Sequence, residues 1–132
     1  MQWLINTIKE LIHSQLGFFD RGDPVAADFE AADLVGDNTW RDLDLSAIVP
    51  AAAQAVTLRV TMQNTTVLRY IDFRKKSHVG WPNIAYCRLV TASIIHTFDK
   101  LVALDSNRFC QYRLNHQDWT ALQITVAAWW LR

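Results

Sequence analysis

The sequence predicts an all-β fold, an antiparallel β-sandwich of jelly-roll-like form with one short N-terminal amphipathic helix. Three observations point there. After about residue 28 the hydrophobic period changes from three-to-four residues to two. Short alternating runs then recur with turn residues between them and no helical pattern intervening. A hydrophobic share of 51% against 20% charged residues, over 132 residues, is enough for the core of one domain and excludes a disordered chain.

Residues 3–16 read as the helix. Leu4, Ile5, Ile8, Leu11, Ile12 and Leu16 recur at helical spacing, while Asn6, Lys9, Glu10, His13 and Ser14 cover the other face. Gly17 is the expected stop, because glycine accepts the left-handed conformation that ends helices. A helix of this length is marginal alone, so its stripe must dock. The two choices are its own sandwich or the same helix of neighbouring subunits, and its terminal position ahead of a polar linker favours the second. The expected domain plan is a helix for assembly or attachment over 1–17, a linker over 18–27 and a sandwich over 28–132. The linker contains Arg21-Gly22-Asp23, read as turn chemistry rather than as an adhesion motif.

Strands are expected at about 28–34, 39–45, 56–62, 67–74, 85–95, 100–105, 108–114 and 121–130. The clearest alternates Val56, Leu58, Val60 and Met62 with Thr57, Arg59, Thr61 and Gln63. Turn signals lie at Asn64-Thr65-Thr66, Ser77-His78-Val79-Gly80, Asp105-Ser106-Asn107 and Asn115-His116-Gln117-Asp118. Ile48-Val49-Pro50 breaks a strand pattern at a proline, which cannot donate to a ladder, and is expected to cross between sheets. Trp40 and Trp119 each open a strand and are expected to plug the ends of the core. In the last strand Leu122, Ile124, Val126, Ala128 and Trp130 fall on one side, and Gln123, Thr125 and Trp129 on the other. Trp129 is therefore the expected outward ring, and with Leu4, Ile5, Ile8, Leu11 and Ile12 it forms the expected oligomer interface.

The composition narrows function. Thirteen basic and thirteen acidic side chains cancel, which argues against a protein built to hold nucleic acid. Charge is nonetheless segregated. Residues 20–44 carry eight acids against Arg21 and Arg41, and residues 59–113 carry nine basic residues against Asp72, Asp99 and Asp105. Pairing across neighbouring strands and complementarity between subunits both account for this. The apolar start lacks leading basic residues and is interrupted by Lys9, Glu10 and His13, so no signal peptide is expected. No run reaches the roughly 18–20 apolar residues of a membrane span.

Chemistry-bearing motifs are sparse. Cys87 and Cys110 lie in apolar stretches without metal or redox spacing and read as core thiols, with a disulfide as the alternative. The four histidines are scattered, Asp42 and Asp44 share one strand face, and no serine or cysteine sits in a nucleophile elbow. The expectation is a non-enzyme without cofactor or metal. The densest basic cluster, Arg74-Lys75-Lys76 with His78, Trp81 and Tyr86, reads as a ligand or anion loop, or else as a solvated hairpin tip. Trp81, Tyr86, Trp129 and Trp130 could also stack sugars.

The stretch Trp40-x-x-Leu43-Asp44-Leu45-Ser46-x-Ile48-Val49-Pro50, followed by Ala53-x-Ala55-Val56-x-Leu58-x-Val60, resembles the opening of small β-sandwich domains of tailed-phage virion proteins. Phe73-Arg74-Lys75, Asp105-Ser106-Asn107-Arg108 and Trp129-Trp130 are similar to later parts of such domains, so the resemblance spans about residues 38–130. It implies a homotrimeric fibre-tip, tail or capsid-decoration component, located in the virion, made in the host cytoplasm and in contact with itself and other virion proteins. A leading helix in place of a long shaft weights the expectation toward a free-standing virion or assembly protein. A carbohydrate-binding, lectin-like module for host-surface glycans is the alternative. Neither nucleic acid nor a membrane span is expected.

Overall fold

A computed structural model describes residues 1–15 and 17–131, without the side chains of 9–15. Helix α1 (Gln2–Gln15) leads into a two-sheet sandwich. The strands are β1 (Gly17–Asp20), β2 (Phe29–Glu30), β3 (Arg41–Asp44), β4 (Ala53–Gln63), β5 (Tyr70–Arg74), β6 (Ala85–Arg88), β7 (His96–Ala103), β8 (Phe109–Leu114) and β9 (Ala121–Leu131). One sheet has the order β1-β9-β4-β7, with β2 also on β9, and the other has the order β3-β8-β5-β6. Every pairing is antiparallel. From β2 onward the chain changes sheet at each connection except β5 to β6. The all-β sandwich with a short N-terminal helix is thus the fold.

The core lies between the sheets and follows the alternation. Val56, Leu58, Val60 and Met62 of β4 face Ile71 and Phe73 of β5, Cys110, Tyr112 and Leu114 of β8, and Leu122, Ile124 and Val126 of β9 within one buried cluster. Each large side chain so buried contributes about 1.5–3 kcal/mol. Val49 is buried and Ile48 packs against the core at the crossing from β3 to β4, as expected. Arg108 holds that crossing by donating to the carbonyls of Ser46 at 2.9 Å and Val49 at 3.0 Å.

Several expectations are corrected. The first three residues of the expected linker, 18–20, belong to a strand: Gly17, at φ +90°, opens an edge strand on β9. The expected strand at 28–34 shrinks to Phe29–Glu30, because Glu30 and Asp33 form a reciprocal cap that turns Ala31–Asp33 into a 3₁₀ turn. Strand β6 stops at Arg88, and β7 begins early, at His96. Trp119 packs on the core as expected and donates to the His116 carbonyl at 2.8 Å.

The last strand changes phase. Thr57 pairs with Ala128 and Leu58 with Val126, so Ala127 is an extra residue bulged out of the ladder. Beyond it the faces exchange: Trp129 lies opposite the fully buried Val56 and packs on the core, and Trp130 turns outward. The outward ring of this pair is Trp130, not Trp129 as the unbroken alternation implied.

Candidate functional site

Two surfaces gather the residues to which the sequence drew attention. The first is the helix and its root. Trp3, Leu4, Ile5 and Ile8 all have exposed side chains, and the principal contact of α1 is with β1. Leu11 and Ile12, expected on the same stripe, lie outside the residues whose side chains are described. At the root, Phe19 stacks on Trp129 with ring centroids 5.1 Å apart and planes at 10°, while Phe18 meets Trp130 edge-on at 5.3 Å. These paired rings fasten β1 to β9 and hold the helix at one end of the sandwich. The loops 64–69 and 89–95 meet at the far end of the same sheet, where Leu68 donates to the Leu89 carbonyl and Ser93 to that of Asn64. Val67, Leu68, Val90, Ile94 and Ile95 are exposed there, with Leu68 in the left-handed region at φ 64°.

The second surface is the outer face of the β3-β8-β5-β6 sheet. Period-two alternation sends Ile71 and Phe73 inward and Tyr70, Asp72 and Arg74 outward on β5. On β6 it sends Tyr86 and Arg88 outward, and on β8 Gln111 and Arg113. Arg74 lies over the Trp40 ring at 4.1 Å from the centroid, and Arg113 over the same ring at 4.7 Å. Arg113 also reaches Tyr70 at 5.8 Å, and Arg88 lies 4.1 Å from the Tyr70 centroid and 4.8 Å from that of Tyr86. Six side chains from three strands and the entry to a fourth thus alternate cation and ring: Arg74, Trp40, Arg113, Tyr70, Arg88, Tyr86. Trp40 is not a plug of the core; it is the ring shared by two guanidinium groups.

Asp72 lies at the centre of this ladder with no surface exposed. Its Oδ2 accepts from Arg113 at 2.9 Å and Arg88 at 3.4 Å, and its Oδ1 has no partner. Burial raises the Asp72 carboxyl above the ordinary carboxylate range, and the two arginines pull it part of the way back. Arg74 has no carboxylate of its own: its Nε donates to Gln111 at 3.0 Å, and Gln111 donates in turn to Asp42, which Lys76 faces at 3.4 Å. Burial and the neighbouring Arg113 charge lower the Arg74 guanidinium from its usual value.

The expected anion loop is therefore divided. Arg74, Lys76 and Tyr86 join the ladder or its margin. Lys75 and His78 line an adjoining hollow with Asn83, Leu101 and Ala103, which Arg74 also borders, and Trp81 stands exposed on a 3₁₀ turn. Sequence reasoning missed Tyr70, Asp72, Arg88 and Arg113 as site residues. The available signal was an aspartate at the middle of Tyr70-Ile71-Asp72-Phe73-Arg74, flanked at alternate positions by an aromatic and a cation.

Other features resolve as structural. Part of the segregated charge is paired within the chain, as Arg21–Asp28, Arg41–Asp37, Arg59–Asp99, and Asp72 with Arg88 and Arg113, and Lys76–Asp42 joins the acidic segment to the basic one. The hydrogen bond from Arg41 lowers Asp37, and that from Arg59 lowers Asp99. Arg21 is engaged by Asp28 and the Val126 carbonyl, so the Arg-Gly-Asp turn offers no free guanidinium. Cys87 and Cys110 are free, buried thiols, each pushed by desolvation to about 12. Asp44 accepts from the Ser46 amide at 2.8 Å. Among the described residues no three His, Cys, Asp or Glu side chains are grouped to hold a metal ion, and no helix is long and apolar enough to cross a membrane. A cleft between residues 18–24 and the outer face of β4 and β9 is lined by Asp20, Asp23, Thr57, Arg59 and Thr125, with no histidine, cysteine or serine in its wall. Comparison with family models, with curated proteins and with solved structures returned no match.

Proposed function

We propose that the protein is a non-enzymatic, self-associating structural component, of the virion class that its resemblance to tailed-phage sandwich domains implies. The N-terminal helix joins like copies, and the sandwich presents its loops to other virion proteins. The observation that carries this reading is the uncovered stripe of Trp3, Leu4, Ile5 and Ile8 on a helix anchored to the sandwich chiefly through β1. Apolar surface of this kind, contiguous and projecting, marks a site of association. The paired rings at the helix root make the junction firm enough to transmit a contact to the sandwich. The second apolar end, at Val67, Leu68, Val90, Ile94 and Ile95, lies at the opposite end of the sheet and suits attachment to a different partner.

Light scattering tests the reading on the full chain. The expected mass is a whole-number multiple of 15.2 kDa, three copies if the resemblance holds in full. The double substitution Ile5→Asp with Ile8→Asp is expected to return a folded single copy. A wild-type chain that runs as one copy over the concentrations tested overturns the proposal, as does a doubly substituted chain that keeps its multiple mass.

A further inference from the structure

We infer that the arginine–aromatic ladder on the outer face of the β3-β8-β5-β6 sheet is a binding site for an acidic saccharide, one bearing carboxylate or sulfate groups. The site is distinct from the helix and does not depend on self-association.

The first argument is charge. Even with Asp72 ionised, three guanidinium groups share one carboxylate, and Asp42 at the margin is already matched by Lys76. Two positive charges therefore remain in excess on one sheet face. On the other sheet Arg59 is matched by its own carboxylate, Asp99, at 2.8 Å. Arg74 and Arg113 are gathered on one indole, which costs stability through their mutual repulsion. A bound oxyanion relieves that repulsion.

The second argument is geometry. Arg74 on β5, Arg113 on β8 and Arg88 on β6 lie on three adjacent strands and on three successive rows of the same face, level with Arg74, Asp72 and Tyr70 of β5. Contact with the Trp40, Tyr70 and Tyr86 rings holds each guanidinium in place. Arg74 gives its Nε to Gln111, Arg88 and Arg113 each give one Nη2 to Asp72, and Arg113 Nε is buried, so the remaining terminal N–H groups are the ones offered to a ligand. A guanidinium fork matches a planar or tetrahedral oxyanion through paired hydrogen bonds. The buried Asp72 orients Arg88 and Arg113 from beneath.

The third argument selects the ligand class. A single-stranded nucleic acid needs bare ring faces for its bases and a long-range positive field for its phosphates. Here each ring already carries a guanidinium, and the chain is electroneutral. A saccharide needs neither: its anionic groups take the forks, and its apolar ring faces rest against the edges of the aromatic side chains.

The experiment titrates the full-length protein with a heparin-derived tetrasaccharide, a neutral tetrasaccharide and a single-stranded oligonucleotide. Calorimetry gives the affinity, and arginine Nε–Hε resonances in the wild-type protein give the location. The expected result is saccharide binding that weakens with salt, shifts at Arg74, Arg88 and Arg113, and no comparable binding of the neutral sugar. Arg74→Gln, which removes a cation holding no carboxylate, is expected to weaken binding at least tenfold, and Arg59→Gln on the other sheet to leave it unchanged. Absence of wild-type binding overturns the proposal. So do shifts confined to other arginines, equal loss in the two variants, equal binding of the neutral sugar, or tighter binding of the oligonucleotide at the same arginines.

Discussion

Arg113 donates to Asp72 at 2.9 Å across the outer face of a sheet, yet Asp72 itself has no exposed surface, while a quarter of the Arg113 side chain is open to solvent. The two partners are therefore not equivalent. Removing the arginine leaves a buried carboxylate with only Arg88 at 3.4 Å, whereas removing the carboxylate leaves two guanidinium groups that water can reach. Arg113→Met is expected to destabilise the fold by about 3 kcal/mol, the cost of stranding a buried charge, and Asp72→Asn by clearly less. Urea titration of the two variants checks the inequality; equal losses would show that the pair acts as an exposed salt bridge.

The same burial sets a pH dependence. Because the folded-state Asp72 carboxyl titrates above its ordinary value of 3.8, the folded state holds this proton more tightly than the unfolded chain. The Asp72 contribution to stability is thus most favourable at low pH. It is lost as pH rises from the unfolded value through the folded one. Asp72→Asn lacks this term, so the stability of wild type relative to the variant is expected to fall as pH rises above about 4 and then level off. Thermal unfolding of both proteins across that range measures it, and a difference that rises with pH would reverse the assignment.

What was legible in the sequence follows from where its information is local. Val56, Leu58, Val60 and Met62 announce β4 because one face of a sheet is buried and the other is not, and the Ile48-Val49-Pro50 crossing announces itself by a proline. Phe18 and Phe19 were hidden because glycine and proline close behind them read as linker, and only the register with Trp129 and Trp130 makes them a strand. The phase of Trp129 depends on a bulge at Ala127, which is set by the partner strand β4 and not by β9 itself. The arginine ladder was illegible for the same reason: Trp40, Arg74, Arg88 and Arg113 are far apart in the chain and meet only through strand order. Asp72, in the middle of an apolar strand, was the one local sign.

Gly36 marks a close approach of two loops. A Cβ built there would lie 2.3 Å from the carbonyl carbon of His116 and 2.6 Å from the amide nitrogen of Gln117, both of them backbone atoms that no rotamer change can move. The contact is tied on either side by Gln117, which accepts from the Gly36 amide at 2.8 Å and donates to the Leu34 carbonyl at 3.0 Å. Gly36→Ala is expected to cost about 2–3 kcal/mol through this overpacking. A melting temperature within a degree of wild type would show that the loops separate freely.

Cys87 and Cys110 are placed for packing, and desolvation holds both thiols near 12, so almost no thiolate is present at neutral pH. The native protein is expected to leave a thiol-directed disulfide reagent unreacted over hours at pH 7–8, and to release two equivalents promptly in denaturant. Fast reaction of either cysteine in the native state would place it at a surface.

Arg21 and Asp28 close the bulge that reverses the faces of β9. Arg21 Nη2 donates to Asp28 Oδ1 at 2.9 Å and its Nη1 to the Val126 carbonyl at 3.0 Å, while Asp28 Oδ2 accepts from the Val126 amide at 2.8 Å. The pair thus satisfies the Val126 backbone groups on the edge of β9 that lies between its pairings with β1 and β2, and it ties the segment between those strands to β9. Asp28→Ala strands both a guanidinium and a largely buried amide, with an expected loss of about 2–4 kcal/mol. Because the clamp lies beside the ring pairs that root α1, the loss should be local as well as global. Amide exchange at Val126 and Ala127 is expected to accelerate more than exchange at Val60 or Ile71 in the centre of the core. Uniform acceleration at all four positions would mean that the clamp stabilises the fold as a whole and has no special hold on the bulge.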